Sequence, residues 1–255
     1  TVRANTTYGQ SIVSYTGSGT SGNTVGHGLS SAPNLVIIKM RSGTDSWVVV
    51  TRGAGITDYT GRHLNLDYAF NDQAYNVSAM SSSTFTLGND AQSNANNSTY
   101  VAYCFHDVTG YSKFSSYSGT GGTHTVTTGF SPAFIMIKQS SASGENWKMY
   151  DNTRYPNTAE RTLDANTNGV EGGGSAIKIN YLSTGFQVVG TNADINTNNA
   201  TYFYMAFADK REYAYWLDQS GNNNDWTSNN LTESDVMVDS PTNNFCTMNP
   251  LDVET

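Results

Sequence analysis

The sequence predicts an all-β protein: a tandem, duplicated β-sandwich of jelly-roll-like type, followed by an extended C-terminal tail. Three observations predict it. The chain repeats its own pattern at a spacing of about 100 residues, which is a domain-sized period rather than a solenoid one. Short runs rich in β-branched and aromatic residues alternate with Gly, Asn, Asp and Ser clusters. The last stretch, residues 213–255, matches neither copy and shows no strand alternation.

The repeat is visible in order along the chain. Residues 15–39 read YTGSGTSGNTVGHGLSSAPNLVIIK and residues 117–138 read YSGTGGTHTVTTGFSPAFIMIK. Each is a polar Gly/Thr run, a glycine with a large apolar residue (Gly28-Leu29, Gly129-Phe130), a proline, and an apolar run closed by lysine. Trp47 and Trp147 then follow Gly-containing loops, Phe85 answers Phe186, and NSTYVAYCFHD (97–107) answers NATYFYMAFAD (199–209). What both copies keep is expected to serve the fold; what one copy has alone is local function or drift.

Each element has a local reason. Residues 1–14 read as a lead-in strand, swapped or paired with upstream chain. NLVIIKM, SWVVVTR, TFTLGND and TYVAYCFHD are strands of the first copy, residues 1–109. AFIMIKQ, NWKMYDN, SAIKINYL, GFQVVGT and TYFYMAFAD are strands of the second, residues 110–212. KMRSGTDSW and KQSSASGENW are strand–loop–strand hairpins. No segment carries a helical stripe of useful length. The join, VTGYSKFSS, is short, so the copies should pack on each other. Equivalent pairs should superpose: Trp47 over Trp147, with both expected in core or inter-copy packing, and Phe105 over Phe207.

Composition narrows the class. The 255 residues carry a net charge of -8 with only 13% charged side chains. Polarity comes from Asn, Ser, Thr and Gly, a balance common in extracellular β-proteins and fibre-like surface proteins. An acidic chain is a poor partner for nucleic acid or an anionic membrane surface. No signal-peptide pattern and no run long enough to span a bilayer is visible. Cys104 lies in an apolar run opposite Ala206 and reads as a small buried filler; no disulfide framework is implied.

The tail adds a resemblance. LDQSGNNNDWTSNNLT (217–232) followed by DSPTNNFCTMNPL (239–251) resembles a linker in virion proteins of marine tailed bacteriophages. There it joins tandem β-domains to a lectin-like or SPRY-like sandwich. GFSPAFIMIK (129–138), ENWKMYDNTR (145–154) and TYFYMAFAD (201–209) resemble the same proteins. The resemblance implies a tail-fibre, appendage or capsid-surface component located on the virion, with other virion proteins and further copies of itself as partners. The tail, poor in core-forming residues, cannot offset an ordering entropy of roughly 1–2 kcal/mol per residue alone. Trp216, Trp226 and Phe245 are therefore expected to anchor it on the body or on a neighbouring subunit.

The four histidines, His27, His63, His106 and His124, lack ligand spacing and read as scattered surface residues. The acidic run from Asp218 lacks the glycine and closing glutamate of a calcium loop and reads as an Asx-turn cluster. No metal or cofactor is expected. Carboxylates such as Glu145, Asp151, Asp164 and Glu171 are dense in copy two, yet no nucleophile–base motif accompanies them, so catalysis is not expected. Five residues of the variable middle loops, Tyr59, His63, Tyr75, Arg154 and Tyr155, form the candidate ligand-binding set: rings for the sugar face, polar groups for hydroxyls. The expected function is non-enzymatic assembly and host-surface contact, with host glycans as candidate ligands. The competing readings are a polysaccharide depolymerase and a free carbohydrate-binding module.

Overall fold

The computed structural model describes residues 1–209. Trp216, Trp226, Phe245 and the acidic run from Asp218 lie outside the described residues. Copy one comprises β1 (Val2–Asn5), β2 (Gln10–Thr16), β3 (Thr24–Gly26), β4 (Leu35–Met40), β5 (Val48–Thr51), β6 (Thr60–His63), β7 (Asn71–Asp72), β8 (Val77–Met80), β9 (Thr84–Leu87), the single turn α1 (Ala91–Asn94) and β10 (Thr99–Phe105). Copy two comprises β11 (Ser112–Ser118), β12 (His124–Thr127), β13 (Pro132–Gln139), β14 (Lys148–Asp151), β15 (Thr158–Ala159), β16 (Arg161–Asp164), β17 (Gly172–Gly173), β18 (Ile179–Leu182), β19 (Gly185–Val188), α2 (Ala193–Asn196) and β20 (Thr201–Ala208).

Each copy is an antiparallel sandwich of a large and a small sheet. The large sheets run β1-β2-β10-β4-β5-β6-β7 and β11-β20-β13-β14-β16-β17; the small ones run β3-β9-β8 and β12-β19-β18-β15. The orders superimpose strand for strand, with β1 and β15 as the additions. Trp47 and Trp147 each lead into an equivalent strand, β5 and β14. Phe105 pairs with Leu35 and Phe207 with Phe134, again at equivalent places.

The apolar runs are explained by two buried faces. In β4, Val36 and Ile38 enter the copy-one core, while Leu35 and Ile37 turn the other way. In β20, Tyr202, Tyr204 and Ala206 enter the copy-two core, while Phe203 and Met205 turn away. The outward-turned sets meet in a third cluster shared by both copies, with Trp147 and Phe114 fully buried within it. The two large sheets therefore pack face to face along a seam of aromatic and aliphatic side chains, giving four layers. Phe105 and Phe207 meet edge-on there at 6.0 Å. A strand buried on both faces can be apolar throughout, which is why these runs lack polar alternation.

Both copies repeat one polar lock. Asn94 and Asn196, 1% and 0% exposed, sit at the ends of α1 and α2. Asn94 Oδ1 accepts from the Ser18 amide at 2.8 Å, and its Nδ2 donates to the carbonyls of Gly88 and Thr20 at 2.7 and 2.9 Å. Asn196 does the same with Thr120, Gly190 and Gly122, at 2.8 Å each. Tyr100 and Tyr202 cap the same turns, donating to Ala91 and Ala193. Gly88 and Gly190 approach backbone so closely that a Cβ would lie 1.9 Å from the Tyr75 carbonyl and 2.1 Å from the Ala176 carbonyl.

Three expectations are corrected. Residues 1–14 are not one lead-in strand: they hold the β1–β2 hairpin, and β2 is the repeat's own first strand, equivalent to β11. The histidines are not a scattered surface set, since His27, His63 and His106 are 0%, 7% and 9% exposed and His124 is half-buried. His27 explains why a ring could be buried at no cost to the fold: its Nδ1 accepts the Leu29 amide at 3.1 Å, and in copy two the Thr128 hydroxyl accepts the Phe130 amide at 3.4 Å. The middle segments are not simply loops, because one face of THE polar strands β6 and β16 is buried. Cys104 is a buried free thiol, pushed up to about 12 by burial.

Candidate functional site

The five aromatic and basic candidates do not converge. Tyr59 is held at φ 60 between the Thr51 carbonyl and the Gln73 amide, packed against the copy-one core. A tyrosine in the left-handed region is uncommon. Tyr75 receives a hydrogen bond from buried Gln73 at 2.9 Å. The His63 ring meets Gln92 of α1, Nε2 to Oε1 at 2.8 Å, and only its backbone carbonyl reaches the seam, accepting the Trp147 indole N–H at 3.2 Å. Arg154 and Tyr155 lie together in copy two, but Arg154 is committed: it binds Asp151 Oδ2 at 2.5 Å and also Glu171. Tyr155 reaches Glu171 at 3.3 Å. Burial opposes ionisation of Asp151, yet the hydrogen bonds and charge of Arg154 outweigh it and hold the carboxyl below its ordinary range. This cluster staples the loop after β14 to the segment before β17.

Comparing the copies exposes a second cluster absent from the sequence reading. Val48 pairs with His63 in copy one, and Lys148 pairs with Asp164 in copy two. Gln92 and Asp194 occupy the same place in α1 and α2. A neutral Val–His–Gln set has become Lys148 bridging Asp164 at 2.9 Å and Asp194 at 3.2 Å. Burial disfavours the ammonium of Lys148, but the two carboxylates outweigh that and raise its pKa. Glu145 adjoins Asp194; burial and then this carboxylate raise its pKa. Asp194 also accepts the Asn146 amide at 2.6 Å. Lys148, Asp164 and Asp194 thus form a partly buried ion-pair network.

The seam itself has polar rims. Lys138, 0% exposed, donates to the carbonyls of Gln139 at 2.8 Å and of Asp67, in the other copy, at 3.2 Å. Burial lowers its pKa to about 8. Beside it the copy-one segment 67–70 is bound by the Gly144 amide, the Ser143 hydroxyl and the Ser140 carbonyl. An open cleft of about 460 Å³ adjoins this clasp, lined by Ile56, Thr57, Thr60, Phe70, Ser140 and Thr201 among others. Its lining sets hydroxyl groups around one phenyl ring. Of the candidate set, Tyr59 belongs to the loop that walls it. A second cleft, of about 400 Å³, opens beside β1.

A family model described as a domain of unknown function, DUF7483, matches residues 1–211. The chain belongs to that family. The match runs across both copies, so the unit that defines DUF7483 is the pair of sandwiches with its seam. Residues 1–208 also cluster as one compact unit. Neither the curated proteins nor the solved structures contain a match. Among the described residues no group of three or more His, Cys, Asp or Glu is placed to hold a metal, and no helix is long and apolar enough to cross a membrane.

The signal that would have found the copy-two network in this DUF7483 chain is correlated change between copies. Val48, His63 and Gln92 become Lys148, Asp164 and Asp194 together. Recognising that required the register of β6 and β16, which the sequence pattern alone does not supply.

Proposed function

We propose that this DUF7483 chain is a non-enzymatic structural and adhesive component of a phage virion, at a tail fibre, appendage or capsid surface, with host-surface glycans as ligands. The observation that carries the reading is the seam. Two copies of one sandwich share an apolar core, and a cleft rich in hydroxyls opens at its margin. That is the economy expected of a rigid building block whose contacts are made by its rims. The linker-like tail motif and the neutral polar composition support the same reading.

Adsorption separates this from the competing readings. Host cells pre-incubated with an excess of the purified full chain should adsorb the phage that encodes it severalfold more slowly, and the supernatant should contain no newly released oligosaccharide. Undiminished adsorption would count against the adhesive role. Release of oligosaccharide, lost in Asp151→Asn or Glu171→Gln, would move the assignment to a depolymerase.

A further inference from the structure

We infer that the cleft walled by β1 binds a carboxylated saccharide, a stretch of glycan bearing uronic-acid-type groups. The inference deepens the adhesive reading and rests on it for its ligand class. Its starting point is that β1 has no counterpart in copy two among the described residues. There β11, the counterpart of β2, ends its sheet with no described strand beyond it. There the outward amide of Phe114 is satisfied by Asp107 Oδ1 at 2.8 Å, so an edge of this type can be closed by one side chain. Copy one instead spends a whole strand, paired from Val2↔Val13 to Asn5↔Gln10.

What that strand brings is a wall. Alternation sends Val2 and Ala4 to the side of Gly28, where a Cβ would lie 2.8 and 3.2 Å from them. Arg3 and Asn5 line the opposite side, in an open cleft of about 400 Å³ with Gln10, Ile12, Tyr103 and Phe105. That volume falls within the roughly 300–1,000 Å³ of small-ligand sites. The floor continues the seam: Tyr103 and Phe105 pack against the shared cluster yet stay partly exposed, and Tyr103 stacks on Trp47 at 6.2 Å. Ile12, in the middle of a strand, is 51% exposed.

The chemistry is specific. Aromatic and aliphatic side chains offer a flat surface for the C–H face of a pyranose. The amide of Gln10 supplies donors and an acceptor for hydroxyls, and Asn5, whose Oδ1 accepts the Tyr8 amide at 3.0 Å, adds its Nδ2 donors. Arg3 forms no ion pair among the described residues. A guanidinium left without a carboxylate beside aromatic rings matches a planar carboxylate with two parallel hydrogen bonds. The chain's net charge of -8 repels anionic polymers at long range, so the selectivity must come from this local contact.

Titration calorimetry on the full chain tests it. The probes are oligogalacturonate, mixed mannuronate–guluronate oligomers, and a neutral cello-oligosaccharide of equal length. At least one uronate oligomer should bind at least tenfold more tightly than the neutral one. Arg3→Ala should remove that preference, Arg3→Lys should retain part of it, and Ile12→Ser should weaken both ligand classes. Arg3 is exposed on an edge strand, so unchanged thermal unfolding of the Arg3 variants serves as the folding control. Binding of no uronate oligomer, or equal binding by wild type and Arg3→Ala, overturns the assignment. Uronate binding that depends on Arg3, in a chain that fails to compete for adsorption, would uphold the cleft while refuting the adhesive role.

Discussion

Trp147→Ala should destabilise the double sandwich by about 3–5 kcal/mol, the range for removing a large aromatic from a packed core. Trp147 is 0% exposed, contacts Phe70 and Phe203 at ring distances of 5.8 and 6.4 Å, and donates its indole N–H to the His63 carbonyl. The cavity opens at the seam, so both copies lose support. The melting temperature should fall in a single transition, by roughly 2–4 °C for each kcal/mol in a body of this size. Trp47→Ala is the internal control. Its ring is only half-buried at the rim, and about 1 kcal/mol is expected, a typical value for a point substitution. Differential scanning calorimetry checks both variants. Equal losses, or a Trp147→Ala scan splitting into two independent transitions, would contradict the shared seam.

Asn196→Ala should cost about 3 kcal/mol, because it leaves two backbone groups without partners, each worth about 1–3 kcal/mol when buried and unsatisfied, with incomplete additivity. Those groups are the Thr120 amide and the Gly190 carbonyl; the Gly122 carbonyl loses one donor but keeps the Thr120 hydroxyl at 2.8 Å. Asn94→Ala should cost a similar amount, since its partners are equivalent. Asn196→Asp is the sharper probe. It keeps the acceptor for Thr120 but turns two donor contacts into oxygen facing oxygen, so its loss should equal or exceed that of the alanine variant. Chemical denaturation of the single variants reads the effect. A loss below about 0.5 kcal/mol in both copies, the scale of an ordinary surface substitution, would mean that the lock is not structural.

These residues also mark where the sequence was legible. Trp147, Phe105, Phe207 and the apolar runs could be placed because they are large, apolar and matched between copies. Asn94 and Asn196 were matched too, yet they sit in Asn- and Ser-rich stretches that resemble solvated turns, and only the burial of α1 and α2 distinguishes them. The β1–β2 hairpin is hard to read as two strands because QSIVSYT is half polar; Ser11 is 3% exposed, while Gln10 and the apolar Ile12 line a cleft. The buried histidines were missed because a histidine and a threonine can satisfy the same amide, as His27 and Thr128 do, so their alternation between copies looked like surface drift. Arg154 and Tyr155 are adjacent in sequence. Their commitment to Asp151 and Glu171, one of them 17 residues away, depends on loop closure.

If this chain is, as proposed, a built-in part of a particle surface, quantitative mass spectrometry of gradient-purified particles should find peptides from both copies at a fixed ratio to the major capsid protein through successive gradients, with the protein accessible to antibody on intact particles. Abundant chain in infected-cell lysate but none in particles of full infectivity would contradict it.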